Sequence, residues 1–410
     1  MGAVTAAGVD RRGMAVLSLA HMFTDVCQGS VPALLPFLIA ERHLSYAAAS
    51  ALVLAATVAS SVIQPVFGHL SDRRSLPVLM PAGLACGAVG IALVGVAPTY
   101  GALFAAIALS GVGVAAFHPE ASRFAHHVSG ARRASGMSLF SVGGNAGFAL
   151  GPLLTTPLVL VFGLRGTLFL IVPLGLMALL LARELGRLRS FTPAPAARRS
   201  DGPERDRLGA FVLLAGVVAL RSFVYFGLVT FVPLYYVGVL HASKAAGNGA
   251  LAVMLIGGAV GTLLGGPLAD RFGRSNVIVG SMALLPGLIG AFLSVGGVAA
   301  TLLLGVVGAV TIATFSVTIV MGQELLPRRL GVASGVTIGL SIGLGGAGAP
   351  LLGLIADAHG LPTTIAVIAA LPVPALVLAL ALPRPKRAGA PPAGEGARGL
   401  GRAYGRSSGA

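Results

Sequence analysis

Charge is scarce in this sequence. Only 10% of its 410 residues are Asp, Glu, Lys or Arg, where a soluble domain carries about 25%. With 56% hydrophobic residues and a mean hydropathy of +0.91, that scarcity excludes an ordinary water-soluble fold. Cysteine is limited to Cys27 and Cys86, both inside apolar runs, which excludes a disulfide framework of the secreted kind. No Cys/His group has metal-ligand spacing, so no metal is expected, nor any other cofactor. The sequence also lacks H-E-x-x-H, paired aspartates at mid-span and G-x-x-x-x-G-K-[ST]. An enzyme is therefore not expected, and any pumping must draw on an ion gradient rather than ATP.

What the sequence has is long, unbroken apolar runs without the two-residue alternation of a membrane barrel strand. In lipid only helices and closed barrels satisfy their backbone groups, and a helix needs about 20 apolar residues to cross a core of about 30 Å. The runs predict an all-α membrane protein with twelve spans, near 14–40, 46–70, 76–96, 100–121, 133–162 and 166–183, then 209–238, 245–268, 276–295, 298–323, 331–357 and 361–382. Residues 14–183 and 209–382 form two six-helix bundles. Between them, 184–208 is a polar Arg- and Pro-rich linker. Residues 383–410, rich in Gly, Pro and Arg, are expected to be a disordered tail. Arg11 and Arg12 precede an apolar stretch as in a signal peptide, but that stretch runs to about Ala40, so it is expected to be a retained first helix after a short segment 1–13.

The 28 lysines and arginines orient these spans. All fall in one set of alternate segments except Arg42, Arg165, Lys244 and Arg221, the last of which lies inside a span. Loops rich in Lys and Arg stay cytoplasmic, which places both termini inside the cell and the protein in the cytoplasmic (inner) membrane as a multi-pass chain. The net charge of +15 is accounted for by topology and lipid headgroups; no nucleic-acid partner is needed.

Two motifs recur at one offset. Gly68, Asp72 and Arg73 in "GHLSDRR" lie 198 residues before Gly266, Asp270 and Arg271 in "GPLADRFGR". Gly147 and Pro152 in "GNAGFALGP" lie the same distance before Gly345 and Pro350. A shared offset argues for a duplicated six-helix unit, and parallel repeats with a site between them are a transporter architecture.

The loops after spans 2 and 8, which carry G-x-x-x-D-R, resemble the signature loop of the major facilitator superfamily. The first copy is degenerate, with "RSLP" where the trailing basic residues belong; the second is nearly complete through Arg274. "HMFTD" in span 1, "SSVIQPVFGHLSD", "AFHPEASR", "SLFSVGGNAGFALGP", "QELLPRRLGVASG" and "GLIAD" together resemble the fosmidomycin-resistance branch of that family, over about residues 14–382. The resemblance implies a monomeric secondary transporter that works by alternating access and exports small toxic compounds, including a phosphonate antibiotic, in exchange for protons. Import or export of an endogenous organic anion with protons is the second reading. It also implies that Gly68, Asp72, Arg73, Gly266, Asp270, Arg271 and Arg274 take part in gating, the loop aspartate meeting a helix N-terminus of the other half. The glycine-proline stretch with Gly147, Gly151 and Pro152 resembles the family's antiporter motif, though packing alone would also select it.

The intramembrane polar groups are the candidate site. His21, Asp25 and Gln28 share one face of helix 1, with Asp25 near mid-span, where an ionised carboxylate costs about 2.5–3.5 kcal/mol. Burial penalises the charge of Asp25 and a protonated His21 would favour it. A group held between those pulls can load and release a proton in a hydrated cavity; a static His–Asp hydrogen bond is the plainer reading. Arg221 lies at similar depth in helix 7, either as an anchor for an anionic substrate or as a permanent partner of Asp25. Tyr225, one turn on, shares its face or packs in the core. Asn145 hydrogen-bonds substrate or a neighbouring helix. His118 and Glu120 flank Pro119 near the cytoplasmic end of helix 4, where Glu120 either relays protons or pairs with Arg123, Arg132 or Arg133. Glu324 is expected to pair with Arg328, and Asp357 to lie at the outer interface.

Overall fold

The structure, a computed structural model, describes residues 9–73, 75–130, 132–191, 206–329 and 332–383 apart from 334–335 and 338–339. The predicted linker falls mostly, and the tail almost wholly, outside the described residues. Among the described residues, twelve α-helices with defined bounds follow in order: α1 (Arg11–Arg42), α2 (Tyr46–Arg73), α3 (Leu79–Leu93), α4 (Tyr100–Val128), α5 (Arg133–Phe162), α6 (Ile171–Leu188), α7 (Leu208–Gly238), α8 (Lys244–Phe272), α9 (Arg274–Ser294), α10 (Gly297–Leu325), α11 (Gly345–Ala370) and α12 (Pro372–Leu380). Side-chain caps set several starts. The Asp10 carboxylate accepts from Gly13 N at 2.9 Å, and Thr99 and Ser243 do the same for α4 and α8. Each supplies an acceptor to an orphan N–H of the first turn.

Ten stretches among the described residues are long and apolar enough to cross a membrane. Two of them, Ser135–Leu188 and Ser341–Leu380, run 54 and 40 residues, more than one crossing of about 20 residues requires. Both are broken at a glycine with positive φ. Gly163 (φ 62°) opens a 3-10 stretch before α6, and Gly360 (φ 82°) interrupts α11.

The packing respects the 198-residue repeat. Helix α1 lies along α5 as α7 lies along α11, α2 lies along α4 as α8 lies along α10, and α3 along α4 as α9 along α10. The halves meet through α2 with α11 and α5 with α8, which the repeat makes equivalent pairs. Contact between α1 and α5 depends on small residues. A Cβ at Gly143, Gly147 or Gly151 would lie 2.3, 2.0 or 2.4 Å from backbone atoms of Ser18, Met22 or Gly29. This is the close approach that membrane helices use in place of a hydrophobic driving force. Overpacking such a seam costs about 1–3 kcal/mol. Gly147→Leu is therefore expected to lower the thermal unfolding midpoint in detergent, while Gly287→Leu on α9, whose Cβ would meet nothing within 4 Å, leaves it unchanged. Equal midpoints for the two variants would show that the seam does not carry stability.

The two ends of the molecule differ. At the end where α1 finishes and α2 begins, bonds cross between the halves. Asp357 accepts from Tyr46 N and Ala47 N at 2.8 and 3.0 Å, so a carboxylate from α11 caps α2 where the helix dipole is positive. Asn248 donates to Ala33 O at 2.9 Å and to Thr156 Oγ1 at 2.7 Å, and the Lys244 ammonium sits 4.7 Å from the Phe37 ring centre. At the other, basic end, the ion pairs among the described residues stay inside one half: Arg187 with Asp10 (2.6 Å), Arg12 with Glu184, Arg274 with Glu324 (2.7 Å) and Arg329 with Asp206 (3.3 Å). One expectation changes here: Glu324 pairs with Arg274 on α9 rather than with Arg328 one turn away. Asp357, exposed at its end of the molecule, in addition caps α2 of the other half.

Candidate functional site

His21 and Asp25 lie one turn apart on α1, and His118 on α4 reaches the same point. The His21 Nε2 atom is 3.3 Å from Asp25 Oδ2, His118 Nε2 is 3.3 Å from Asp25 Oδ1, and the two Nε2 atoms are 3.1 Å apart. Each ring is held from behind. His21 Nδ1 is 2.8 Å from Phe140 O on α5, and His118 Nδ1 is 2.8 Å from Val114 O one turn back on α4. A carbonyl oxygen can only accept, so each Nδ1 donates, and in a neutral ring the Nε2 lone pair faces the cluster. His21 also stacks on Phe140 with ring centres 4.1 Å apart. Gly144 on α5 makes the room, for a Cβ there would lie 2.5 Å from His21 Nε2 and 2.7 Å from Asp25 Oδ2.

With both rings neutral the site is three acceptors with no donor among them. Such a group repels itself unless it shares a cation, and buried Asp25 Oδ1 has no hydrogen-bond partner. The side chains of His21, Asp25 and His118 keep 10, 15 and 22% exposure, so the point is shielded but reachable. Asp25 lies 14 residues along a 32-residue helix, about 21 Å from its start at 1.5 Å per residue. The expectation that no metal-ligating group exists is corrected: these three side chains offer ligand atoms all within 4.8 Å of one another. Sequence spacing missed it because His118 arrives from another helix. His118, placed by the sequence only beside Pro119 and Glu120, joins the mid-span cluster with His21 and Asp25.

Arg221, at a similar depth in α7, is 2% exposed. It donates to Ser341 Oγ at 2.9 Å and lies 5.7 Å from the Phe315 ring centre, while its Nε has no acceptor. No carboxylate lies within salt-bridge distance of it among the described residues, so the permanent pairing with Asp25 is not observed. Nor does Arg221 project into an open hydrated pocket: in this conformation it is sealed. Tyr225 is half-buried and faces Phe148 across the halves, ring centres 6.5 Å apart. Asn145 donates to Thr262 Oγ1 at 3.3 Å and bridges α5 to α8. Gln28 is half-buried beside Asp25 on α1.

The remaining expectations resolve locally. Glu120 is fully buried and pairs with Arg123 at 2.6 Å, with Ser75 beside both; its second oxygen has no partner. Gly68 and Gly266 are uncrowded, the nearest atom to a Cβ at Gly68 being Pro119 Cβ at 3.9 Å. The side chains of Asp72 and Arg73 lie outside the described residues. Asp270 and Arg271 belong to the last turn of α8 rather than to a loop. Both are exposed, and Asp270 meets no helix N-terminus of the other half among the described residues. Gly147 and Gly151 pack against α1, with Pro152 inside α5.

Comparison with known proteins covers nearly the whole chain. The family model described as Major Facilitator Superfamily matches residues 17–350. An uncharacterized MFS-type transporter, YfnC of Bacillus subtilis (strain 168), is 33% identical over 376 residues, 90% of this chain and 92% of the relative. The fosmidomycin resistance protein of Escherichia coli (strain K12) is 32% identical over 373 residues, 88% of this chain and 90% of the relative. Among solved structures, a bacterial homolog of the human lysosomal transporter Spinster, in an inward-facing and occupied conformation, superimposes with a TM-score of 0.71 at 16% identity, over 90% of this chain and 95% of that one. At that identity the likeness concerns the fold alone.

Proposed function

The chain belongs to the major facilitator superfamily, and from that premise we propose that it is a monomeric proton-coupled antiporter of the inner membrane, exporting small anionic toxic compounds such as fosmidomycin-like phosphonates. Twelve crossings follow if each of the two long stretches crosses twice at its glycine break, and the lysine and arginine distribution supports cytoplasmic termini. The observation that carries the reading is the convergence of His21, Asp25 and His118. Three acceptors without a donor hold a proton between them, and their limited exposure lets water deliver and remove it. Arg221 supplies the complementary half. A buried guanidinium with an unsatisfied Nε and no carboxylate partner suits a phosphonate, phosphate or carboxylate. The same guanidinium favours a second reading, exchange of an endogenous organic anion or metabolite, equally well.

Alternating access is supported by the difference between the ends. Asp357 and Asn248 tie the halves on the outer side, while at the Asp270 end, cytoplasmic in this topology, the ion pairs among the described residues each lie within one half. A carboxylate at a helix N-terminus contributes about 0.3–1 kcal/mol, roughly a two- to fivefold shift in population. Spin labels at Leu44→Cys and Leu240→Cys, on the outer loops of opposite halves, should report more of the longer distance once Asp357→Ala is added. An unchanged distance distribution would remove Asp357 from the gate. The function itself is tested in liposomes with an imposed pH gradient and a panel of phosphonates, carboxylates and neutral compounds. Gradient-driven movement of the phosphonates alone supports drug export, and movement of metabolite carboxylates alone supports the second reading. No gradient-driven movement of any compound contradicts both.

A further inference from the structure

We propose that the His21–Asp25–His118 cluster is also a binding site for a divalent transition-metal ion of the zinc type. Tetrahedral zinc with bonds of about 2.0–2.1 Å places neighbouring ligand atoms about 3.3–3.4 Å apart. The nitrogen pair here is separated by 3.1 Å, and each nitrogen lies 3.3 Å from a different oxygen of the carboxylate, His21 from Oδ2 and His118 from Oδ1, with one ligand atom from each residue within 4.8 Å of the others. The ligand atoms are thus gathered at near-coordination spacing, and the carboxylate can close on an ion through either oxygen or both. Their outer partners are those of ligating histidines, which donate the second ring N–H to a carbonyl and thereby fix the tautomer; Phe140 O and Val114 O do so at 2.8 Å. Buried Asp25 Oδ1 has no other partner, and Gly144 keeps the volume beside the cluster free of a methyl group.

Two imidazoles and one carboxylate select among ions. Imidazole suits zinc, cobalt, nickel and copper, whereas magnesium and calcium favour all-oxygen sites. Three protein ligands leave a position for water, and the exposure of His118 supplies the way in. All three ligands lie on α1 and α4 of one half, so the ion would not cross-link the halves. It would sit on the lone pairs that the transport reading assigns to the proton and exclude it, making zinc an inhibitor of exchange.

The test is equilibrium binding of Co2+ and Zn2+ to the purified full chain in detergent, with Mg2+ as the control ion. The expected result is one Co2+ per chain with the visible bands of a four-coordinate N/O site, displaced by Zn2+ and not by Mg2+. His118→Ala and Asp25→Asn should each weaken binding by at least about tenfold, second-shell losses alone reaching that size. Gly144→Ala, which removes no ligand, should alter the spectrum. Elution as a single folded species qualifies each variant. Wild-type protein without stoichiometric Co2+, or variants that bind as wild type does, overturns the site. Failure here with intact gradient-driven transport leaves the transport reading standing. Metal binding in a protein that moves no compound under a pH gradient overturns the transport reading and leaves this site in place.

Discussion

Asp25→Asn is expected to reduce transport driven by a pH gradient to the level of protein-free liposomes, while substrate still binds and the helices still pack. The amide keeps the shape and one acceptor but cannot take up or release a proton near neutral pH. It also removes a group whose ionised form costs about 2.5–3.5 kcal/mol at mid-bilayer, so thermal stability should hold or rise. His118→Ala probes the same step without touching α1, and it should impair gradient-driven movement while leaving the His21–Asp25 turn in place. Gradient-driven transport by Asp25→Asn at the wild-type rate would refute the assignment of the proton to this cluster.

The second large effect concerns Arg221. Hydrogen bonds to charged groups contribute about 1.5–3 kcal/mol, so Arg221→Gln is expected to weaken binding of a phosphonate by roughly 10- to 150-fold and to change binding of a neutral compound little. Arg221→Lys keeps the charge and loses the fork that matches an oxyanion, so its loss should fall between those of wild type and glutamine. Stability is the discriminating readout. The guanidinium is sealed against Ser341 and Phe315 with no carboxylate in salt-bridge reach among the described residues, so glutamine should not destabilise the fold. Equal losses for anionic and neutral compounds, accompanied by a lower unfolding midpoint, would assign Arg221 to structure rather than to recognition.

Much of the architecture was legible in the sequence because one solvent dictates it. An apolar run bounded by Arg133 and Gly163 has few alternatives to the helix Arg133–Phe162, and the 198-residue offset foretells which helices pack as equivalents. The boundaries that moved did so where polar residues found partners. Glu184 and Arg187 read as the start of a linker, yet pairing with Arg12 and Asp10 carries α6 on to Leu188. The predicted span from 166 begins as 3-10 helix, which hydropathy does not distinguish from α. Half of the candidate site was visible, since the four-residue spacing of His21 and Asp25 needs only one helix. His118 is 97 residues away, and a helical period carries no information about which helices touch. Glu324 shows the same limit: Arg328 is near in sequence, but the end of α10 faces the start of α9, and Arg274 takes the carboxylate.

The cation cluster is built from α1 and α4 and backed by Phe140 and Gly144 of α5, all in one half. A rocking motion that turns that half as a solid piece carries the three side chains along without stretching a single contact among them. On the proposed transport reading, what would alternate is the water that wets them and the distance to the guanidinium opposite. Ion occupancy would then be felt as a change of field across the seam, with no ligand made or broken, and a cargo of opposite charge would carry the message between the two sides.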